Sequence, residues 1–458
     1  MSKEKTKAED PNKLGVVKFL TWSARDVSLS ANVIVLGFLT IYCTNYLNMN
    51  ALVVGTLLMA SKIVDAFTDI LGGFLIDRTN TRWGKGRPYE FAILGVWFCT
   101  WLLFSAPANA SGAVKCVWIF VMYMFVNSIF TTLLNSSGNA YMVRAFGTNE
   151  QRVKLASYGG IAIMIGAILV NMLFPVAMAA IATTAAGWSR LVAMFAVPLG
   201  LIGILRFFFV KETVKVDTVS EKVRLKDVLT VLTENKYVYT VLAIQFVYAF
   251  VTGTGVSTYY YTYIVKNVSI MGFVSASSVI VLPVMIFFPM MLKKLHKSTL
   301  IQIGCICYAA GSLVVFFSGG NIPILVIATI IIGLGTLPIT YLINLLALDC
   351  GTYNAYKGHQ RMDGTIGAIK GYANKLGAAF GSGALGVLLS VGGFDASLET
   401  QSFTAELAIT GLYALIPCIL FLLVALLLKF YKLDKMMPEI NAVIEEKSAQ
   451  LEAADKQQ

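Results

Sequence analysis

Charge is scarce in this chain of 458 residues, because Asp, Glu, Lys and Arg make up 13% of it while hydrophobic residues make up 57%. Soluble domains carry about a quarter charged residues, so a mean hydropathy of +0.73 excludes an ordinary soluble fold. The apolar runs are too long and continuous for a membrane β-barrel, whose strands alternate over about 10 residues. The sequence therefore predicts an all-α membrane protein.

Residues that bind metals or act as nucleophiles are also few. The chain has two histidines, His296 and His359, and none of its seven cysteines stands at a metal-ligand spacing from either. The sequence has no nucleophile elbow and no phosphate-binding glycine loop. We therefore expect neither an enzyme nor a resident cofactor, and we expect the cysteines to be small apolar residues without disulfides.

The cations that remain are unevenly placed. Lys and Arg exceed Asp and Glu by 36 to 25, a formal net charge of +11. They cluster in the short loops after every second apolar run, whereas opposite loops such as NYLNMN and SGGNIP carry none. This asymmetry is typical of cytoplasmic loops rather than of a nucleic-acid surface. We therefore predict that both termini are cytoplasmic and that nucleic acid is not a partner.

The apolar runs predict six helices on each side of a charged central segment, since a bilayer core requires roughly 20 apolar residues per helix. The expected helices are 15–45, 51–76, 90–107, 114–145, 153–182 and 189–210, then 237–266, 271–292, 299–318, 323–352, 365–392 and 405–431. The expected domains are a tail (1–14), an N-terminal bundle (15–210), a central loop (211–236), a C-terminal bundle (237–431) and a tail (432–458). Two such halves are typical of duplicated transporters.

Three charged residues share one face of the second predicted helix. Lys62, Asp65 and Asp69 are spaced i, i+3 and i+7, and each charge costs roughly 2.5–3.5 kcal/mol at the bilayer centre. An ion pair between Lys62 and one aspartate would leave the other carboxylate over. We therefore predict that Asp65 and Asp69 bind a monovalent cation or a proton.

Other predicted helices carry polar residues with two possible roles. Either Arg25 extends to the cytoplasmic surface and leaves Asp26 facing a central cavity, or the two form a neutral pair. Asn135 and Asn139, spaced i and i+4, would either hydrogen-bond a polar solute or belong to a seam of small packed residues. Lys375 lies in the middle of its predicted helix and needs a carboxylate partner.

The loop after the second predicted helix is the most heavily charged short loop. It contains Asp77, Arg78, Arg82, Lys85 and Arg87. These side chains would either form ion pairs that lock one conformation or anchor the loop at the cytoplasmic face.

The run DAFTDILGGFLIDRTNTRWGKGRP, with a glycine before Asp-Arg and further basic residues, resembles the glycoside–pentoside–hexuronide:cation symporter family of the major facilitator superfamily. The similarity extends from about 15 to 435 and includes DCGTYNAYKG and the lysine of the eleventh predicted helix. It implies twelve transmembrane helices in two six-helix bundles of the major facilitator fold, which work by alternating access. It also implies uptake of a glycoside driven by Na⁺ or H⁺.

The resemblance also implies residue roles. Asp65, Asp69 and Thr132 match the family's cation site, Asp26 matches an aspartate that binds sugar hydroxyls, and Lys375 matches a lysine near the cation. We assign Asp26, Asn135, Asn139 and Lys375 to the solute site, Asp65, Asp69 and Thr132 to the cation site, and Lys62, Asp77, Arg78, Arg82, Lys85 and Arg87 to ion pairing or gating.

Four positions depart from the family's pattern. Asn135 stands in place of an aspartate, Asn139 of an aromatic residue, Gly159 of an arginine and Leu337 of a tryptophan. An amide can still hydrogen-bond hydroxyls, but it neither carries a proton nor balances a cation. These departures are compatible with cation coupling, and they predict a larger and less aromatic site that admits a bulkier or different polar solute than the usual galactoside.

Taken together, these patterns predict a monomeric secondary active transporter in the bacterial cytoplasmic membrane. Its partners would be the lipid bilayer and a small solute, a glycoside by the resemblance, with Na⁺ or H⁺ as cargo rather than cofactor. The alternative is an uncoupled facilitator or exporter of a lipid-like or drug-like solute on the same fold.

Overall fold

The computed structural model describes residues 15–79, 81–146, 149–213, 233–292, 294–358 and 363–443. Within those ranges the regular structure is helical, and the only extended pairing is an isolated bridge between Thr81 and Gly84. Eight helices in the described ranges are long and apolar enough to cross a membrane. The protein is therefore an all-helical, multi-pass membrane protein.

The chain divides into two compact units. The first contains Met1–Met49 and Ala60–Val219, and the second contains Asn50–Met59 and Ser220–Gln458. The division falls inside the helix that begins at Ala51, so the first turns of that helix belong to the second unit. Each unit has its own cluster of buried apolar side chains.

The helices that lie wholly or mostly in the first unit follow closely on one another. They are α1 (Val16–Leu36), α2 (Leu39–Asn45), α3 (Ala51–Arg78), α4 (Ala92–Leu103), α5 (Gly112–Met124), α6 (Thr132–Ala145), α7 (Asn149–Ile181) and α8 (Ala185–Phe209). A 3₁₀ turn, Arg87–Phe91, leads into α4, and a π-helical turn, Phe125–Thr131, joins α5 to α6. Both turns matter below, because each places a polar side chain of the site.

The second unit is also a succession of helices. Its helices are α9 (Lys236–Gly253), α10 (Val256–Tyr259), α11 (Ile270–Ser277), α12 (Phe288–Leu292), α13 (Lys297–Phe317), α14 (Ile322–Tyr356), α15 (Asp363–Val391), α16 (Phe403–Thr410), α17 (Ile416–Leu428) and α18 (433–443). The expected helix 237–266 is interrupted at Gly255, whose φ of +68° is a left-handed conformation that glycine adopts without steric penalty. Helix 271–292 contains Pro283, and its centre, Ser278–Phe287, is 3₁₀-helical.

Close packing of α8 on α1 positions the charged residues of the first unit. A Cβ atom on Gly203 would lie only 2.9 Å from Ser28 Oγ, so the two helices approach at a glycine. The Ser28 hydroxyl donates to Leu199 O at 2.7 Å and accepts from Trp97 Nε1 at 2.8 Å. These hydrogen bonds tie α1, α4 and α8 together, as polar side chains do inside membranes. Arg206, one turn beyond Gly203, is thereby brought against α1.

Candidate functional site

A closed network of four charged side chains lies inside the first unit. Arg206 Nη2 is 2.7 Å from Asp26 Oδ2, and Arg25 Nη1 is 3.2 Å from Asp26 Oδ1. Through other nitrogens the same guanidinium groups face Glu90, with Arg206 Nη1 3.6 Å from Oε1 and Arg25 Nε 3.5 Å from Oε2. Each arginine therefore bridges both carboxylates, and the two positive charges balance the two negative ones.

Asp26 is the member of this network that reaches open space. Its side chain is 29% exposed, against 5% for Arg25 and 0% for Arg206 and Glu90. Trp22 contacts Arg206 in two ways, because its ring centroid lies 3.9 Å from the guanidinium carbon and its carbonyl accepts a hydrogen bond from Nε at 3.0 Å. The network thus presents one carboxylate, contacted at both oxygens, at the edge of a buried cluster.

The structure agrees in part with each of the two alternatives predicted for Arg25 and Asp26. Arg25 is buried rather than extended to the surface, and it forms the expected pair with Asp26. Asp26 is nevertheless partly exposed, because Arg206 and Glu90 complete the charge balance from the buried side. Sequence reasoning missed these last two residues. Two signals were available in the sequence. Arg206 stands directly before three phenylalanines in an apolar run, and Glu90 stands at the start of the third predicted helix, 90–107.

A second carboxylate of the first unit has a different environment. Thr132 Oγ1 donates to Asp65 Oδ1 at 3.2 Å, and Thr132 is 3% exposed. Thr132 follows directly on the π-helical turn, a feature that often marks functional positions in helices. Lys62 and Tyr123 lie close enough to Asp65 for its charge to act on them. Tyr123 is a further residue that sequence reasoning missed.

Helix α6 contacts both carboxylate environments. Its Thr132 hydroxyl donates to Asp65, and the carbonyl of Leu134 accepts a hydrogen bond from Arg25 Nη2 at 3.5 Å. Asn135 follows directly and is exposed. A single turn of α6 therefore links Asp65 to the network around Asp26.

The remaining predicted site residues are distributed as follows. Lys375 lies on α15 in the second unit and is partly buried. The side chains of Asp69, Asn139, Asp77 and Arg78 fall outside the part of the structure that is described, so their roles stay predictions.

The loop between α3 and α4 holds a carboxylate that follows α8. Glu212 accepts hydrogen bonds from the backbone N–H groups of Lys85 at 3.0 Å, Gly86 at 2.8 Å and Arg87 at 2.8 Å. Successive N–H groups arranged in this way form an anion cradle. The loop therefore fixes the first residues of the expected central loop to the first unit.

Two cationic side chains of this loop lie against aromatic rings. The guanidinium carbon of Arg82 is 4.9 Å from the ring centroid of Trp83, and that of Arg87 is 4.8 Å from the ring centroid of Phe207. Arg87 Nε also donates to the carbonyl of Phe207 at 2.7 Å. The Arg87 contacts anchor the loop to α8, whereas the Arg82 contact lies within the loop. The proposed gating role of these cations stays a prediction.

One known protein family matches most of the chain. Residues 29–435 match the family described as MFS/sugar transport protein, where MFS denotes the major facilitator superfamily. The chain belongs to this family. The resemblance stated from the loop motif is thereby confirmed, and this MFS sugar transport protein is a transporter and not an enzyme.

Individual relatives agree with the family assignment. An isoprimeverose transporter of Lactiplantibacillus pentosus is 29% identical over 432 residues, covering 90% of this chain and 88% of the relative. A glucuronide carrier protein homolog of Escherichia coli (strain K12) is 23% identical over 426 residues, covering 89% and 90%.

Solved structures show the same fold. A D-xylose-proton symporter is 16% identical and superposes with a TM-score of 0.63, covering 90% of this MFS sugar transport protein and 96% of the symporter. At this identity the likeness concerns the fold alone.

Proposed function

We propose that this protein takes up a glycoside together with Na⁺ or H⁺ by alternating access. The names of its relatives support a sugar-like solute, since they include an isoprimeverose transporter, a glucuronide carrier protein homolog and a putative sulfoquinovose importer. We further propose twelve membrane crossings, cytoplasmic termini, a monomeric state and residence in the bacterial cytoplasmic membrane. The helices that occupy the apolar runs and the cations in alternate loops support this topology.

The observation that carries the proposal is the hydrogen bond to Asp65 from Thr132, which lies on a helix long and apolar enough to cross a membrane. Carboxylate and hydroxyl oxygens are hard ligands that suit Na⁺, and a carboxylate takes up a proton equally well. An intramembrane carboxylate is costly, and proteins keep such groups mainly along ion and substrate pathways. We therefore assign the coupling cation to Asp65 and Thr132, with Asp69 as the proposed further ligand.

The solute is assigned to Asp26 and Asn135, which are both accessible. A carboxylate accepts hydrogen bonds from sugar hydroxyls, and an amide both donates and accepts them. Asn139 and Lys375 stay predicted members of this site. Because one turn of α6 touches both Asp65 and Arg25, a cation at Asp65 has a short physical route to the solute at Asp26. Linkage then requires that each ligand raises the affinity for the other equally.

The test is uptake into proteoliposomes that contain the purified protein. We expect an imposed Na⁺ or H⁺ gradient to drive isoprimeverose, or another glycoside of a panel, to a higher concentration inside than outside. The solute should also raise the unfolding temperature more in the presence of the coupling cation than in its absence. Asp395→Asn makes the same carboxylate-to-amide change in an exposed loop, so it is the matched control for Asp65→Asn and Asp26→Asn and should take up solute as wild type does. Uptake that stops at equal concentrations under every gradient would instead identify an uncoupled facilitator.

A further inference from the structure

We propose that Arg206, backed by Glu90, is a positioning residue for solute recognition: it holds Asp26 so that the exposed edge of this carboxylate receives a sugar hydroxyl. The inference rests on the proposed function, because it assumes that Asp26 binds the solute. Neither Arg206 nor Glu90 touches the solute itself, since both side chains are 0% exposed.

Arg206 is fixed from several directions. Trp22 contributes its ring face and its carbonyl oxygen, Asp26 contacts Nη2, and Glu90 faces Nη1. The planar guanidinium donates in a rigid fork, so fixing its plane also fixes the carboxylate that it contacts. The orientation of Asp26 is therefore set by groups that are themselves buried and in contact with further residues.

Glu90 contributes charge rather than hydrogen bonds. Among the described residues neither of its carboxylate oxygens has a hydrogen-bond partner, although both are buried and face guanidinium groups at 3.5 and 3.6 Å. Without Glu90, Arg25 and Arg206 would place two buried positive charges against the single charge of Asp26. One of them would then be unbalanced, which is strongly unfavourable in a low-dielectric interior. Glu90 thus allows two arginines to act on one carboxylate.

If this cluster only stabilised the fold, apolar side chains could take its place. Well-packed apolar side chains replace buried ion networks with little loss of stability, and often with a gain. Here the network is also asymmetric: three members have almost no exposed surface, and the fourth, Asp26, is 29% exposed. This asymmetry is expected if the network serves to orient one exposed hydrogen-bond acceptor, the carboxylate of Asp26.

The first experiment is a double-mutant cycle read out as the Kd of isoprimeverose at saturating cation. We expect Asp26→Asn and Arg206→Gln each to weaken binding roughly 10-fold or more, as for loss of a hydrogen bond to a charged group. The double variant should bind no more weakly than Asp26→Asn alone, because Arg206 acts through Asp26. Losses that multiply in the double variant would overturn the proposal.

Two further variants separate positioning from folding. Arg206→Lys keeps the charge and is the variant of choice if Arg206→Gln does not fold, and it should still weaken binding because the rigid fork is lost. Arg190→Gln is the matched control, since Arg190 is an exposed arginine on the same helix. It should leave the Kd unchanged, and a Kd unchanged in Arg206→Lys as well would contradict a positioning role.

The second experiment needs no solute. Asp26→Cys is combined with Arg25→Gln to keep the cluster neutral, and the new thiol is labelled with an uncharged methanethiosulfonate, so that the rate follows the thiolate and not the attraction of the reagent. The unsubstituted protein, whose cysteines are buried or partly buried, gives the background. Adding Arg206→Gln should slow labelling by roughly 5-fold, because the guanidinium no longer favours the thiolate. An unchanged rate would overturn the proposal. Failure of wild type to bind isoprimeverose would refute that choice of solute, and the labelling would still decide the role of Arg206.

Discussion

Asp26 and Asp65 are both carboxylates of the first unit, and the protein surrounds them differently. Asp26 is contacted by two buried arginines, which are permanent charges of the protein. Asp65 accepts a hydrogen bond from a neutral hydroxyl, that of Thr132, and has Lys62 close by. A carboxylate balanced by fixed charges suits a neutral, hydroxyl-bearing solute. One held by a rotatable hydroxyl, whose oxygen can also serve as a ligand, suits an exchangeable cation.

The largest expected effect tests the cation side of this comparison. Asp65→Asn removes the charge that holds the cation, so we expect accumulation of the solute against its gradient to disappear. Exchange of solute down its gradient should survive, because the network around Asp26 is untouched. The measurement is uptake into proteoliposomes with and without an imposed cation gradient.

Asp26→Asn provides the opposite arm of that experiment. It should weaken solute binding while a thermal shift induced by the cation alone persists. Concentrative uptake that is unchanged in Asp65→Asn would refute the assignment of the cation to this residue. Loss of the cation-induced shift in Asp26→Asn would show that the two carboxylates form one site.

The second prediction concerns the charge balance that distinguishes Asp26 from Asp65. Glu90→Gln leaves two arginines facing one carboxylate, and breaking a buried ion network in this way costs about 3–5 kcal/mol. We expect a clear drop in the free energy of unfolding, measured by denaturant titration in detergent. Adding Arg25→Gln restores neutrality and should recover part of the loss. Equal stability of Glu90→Gln and wild type would mean that the charges are not coupled.

The sequence predicts the helices more completely than the site because the two depend on different information. Helices are encoded locally, in apolar runs whose limits agree with the structure to within a few residues over most of the described chain. The interruptions at Gly255 and Pro283 also have local causes. By contrast, the partners in the charged network are far apart in sequence, and helix periodicity does not relate Asp26 to Arg206 or Glu90.

Family resemblance supplied part of what periodicity lacks. It paired Thr132 with the helix that carries Asp65, and the structure places their oxygens 3.2 Å apart. The resemblance gives no role to Arg206. The arginine of the family's pattern falls at the position that is Gly159 in this chain. A Cβ at Gly159 would lie 3.5 Å from Ser23 Oγ, so this position faces α1. Partners that come from a different helix are found only when the helices are packed together.

The third prediction changes the packing that brings Arg206 to α1. A Cβ on Gly203 would lie 2.7 Å from Ile93 Cγ1 and 2.9 Å from Ser28 Oγ, so Gly203→Ala forces α8 away from its neighbours. We expect a loss of about 1–3 kcal/mol in the free energy of unfolding, as for other overpacked sites, and weaker solute binding. Cation binding, which depends on Asp65, should change less.

Gly200→Ala is the matched control on the same helix, one turn earlier. The added Cβ would meet Leu94 and Trp97 side-chain atoms at 3.7 Å, an ordinary contact. We expect this variant to be as stable as wild type or slightly more stable, since alanine favours helix over glycine. If both variants behaved alike, the close approach at Gly203 would not be what sets the position of Arg206.

The smallest expected effect concerns the hydroxyl that distinguishes Asp65 from Asp26. Thr132→Val keeps the branched shape and removes the oxygen, so one hydrogen bond to the carboxylate and one proposed cation ligand are lost. We expect the Kd of the cation to rise about 10-fold, the lower end for a hydrogen bond to a charged group. Thr132→Ser retains the oxygen and should change the Kd much less. The measurement is a thermal-shift titration with the cation at fixed solute concentration. Similar values for the serine and valine variants would show that the hydroxyl only packs against Asp65, and the cation would then depend on the carboxylates alone.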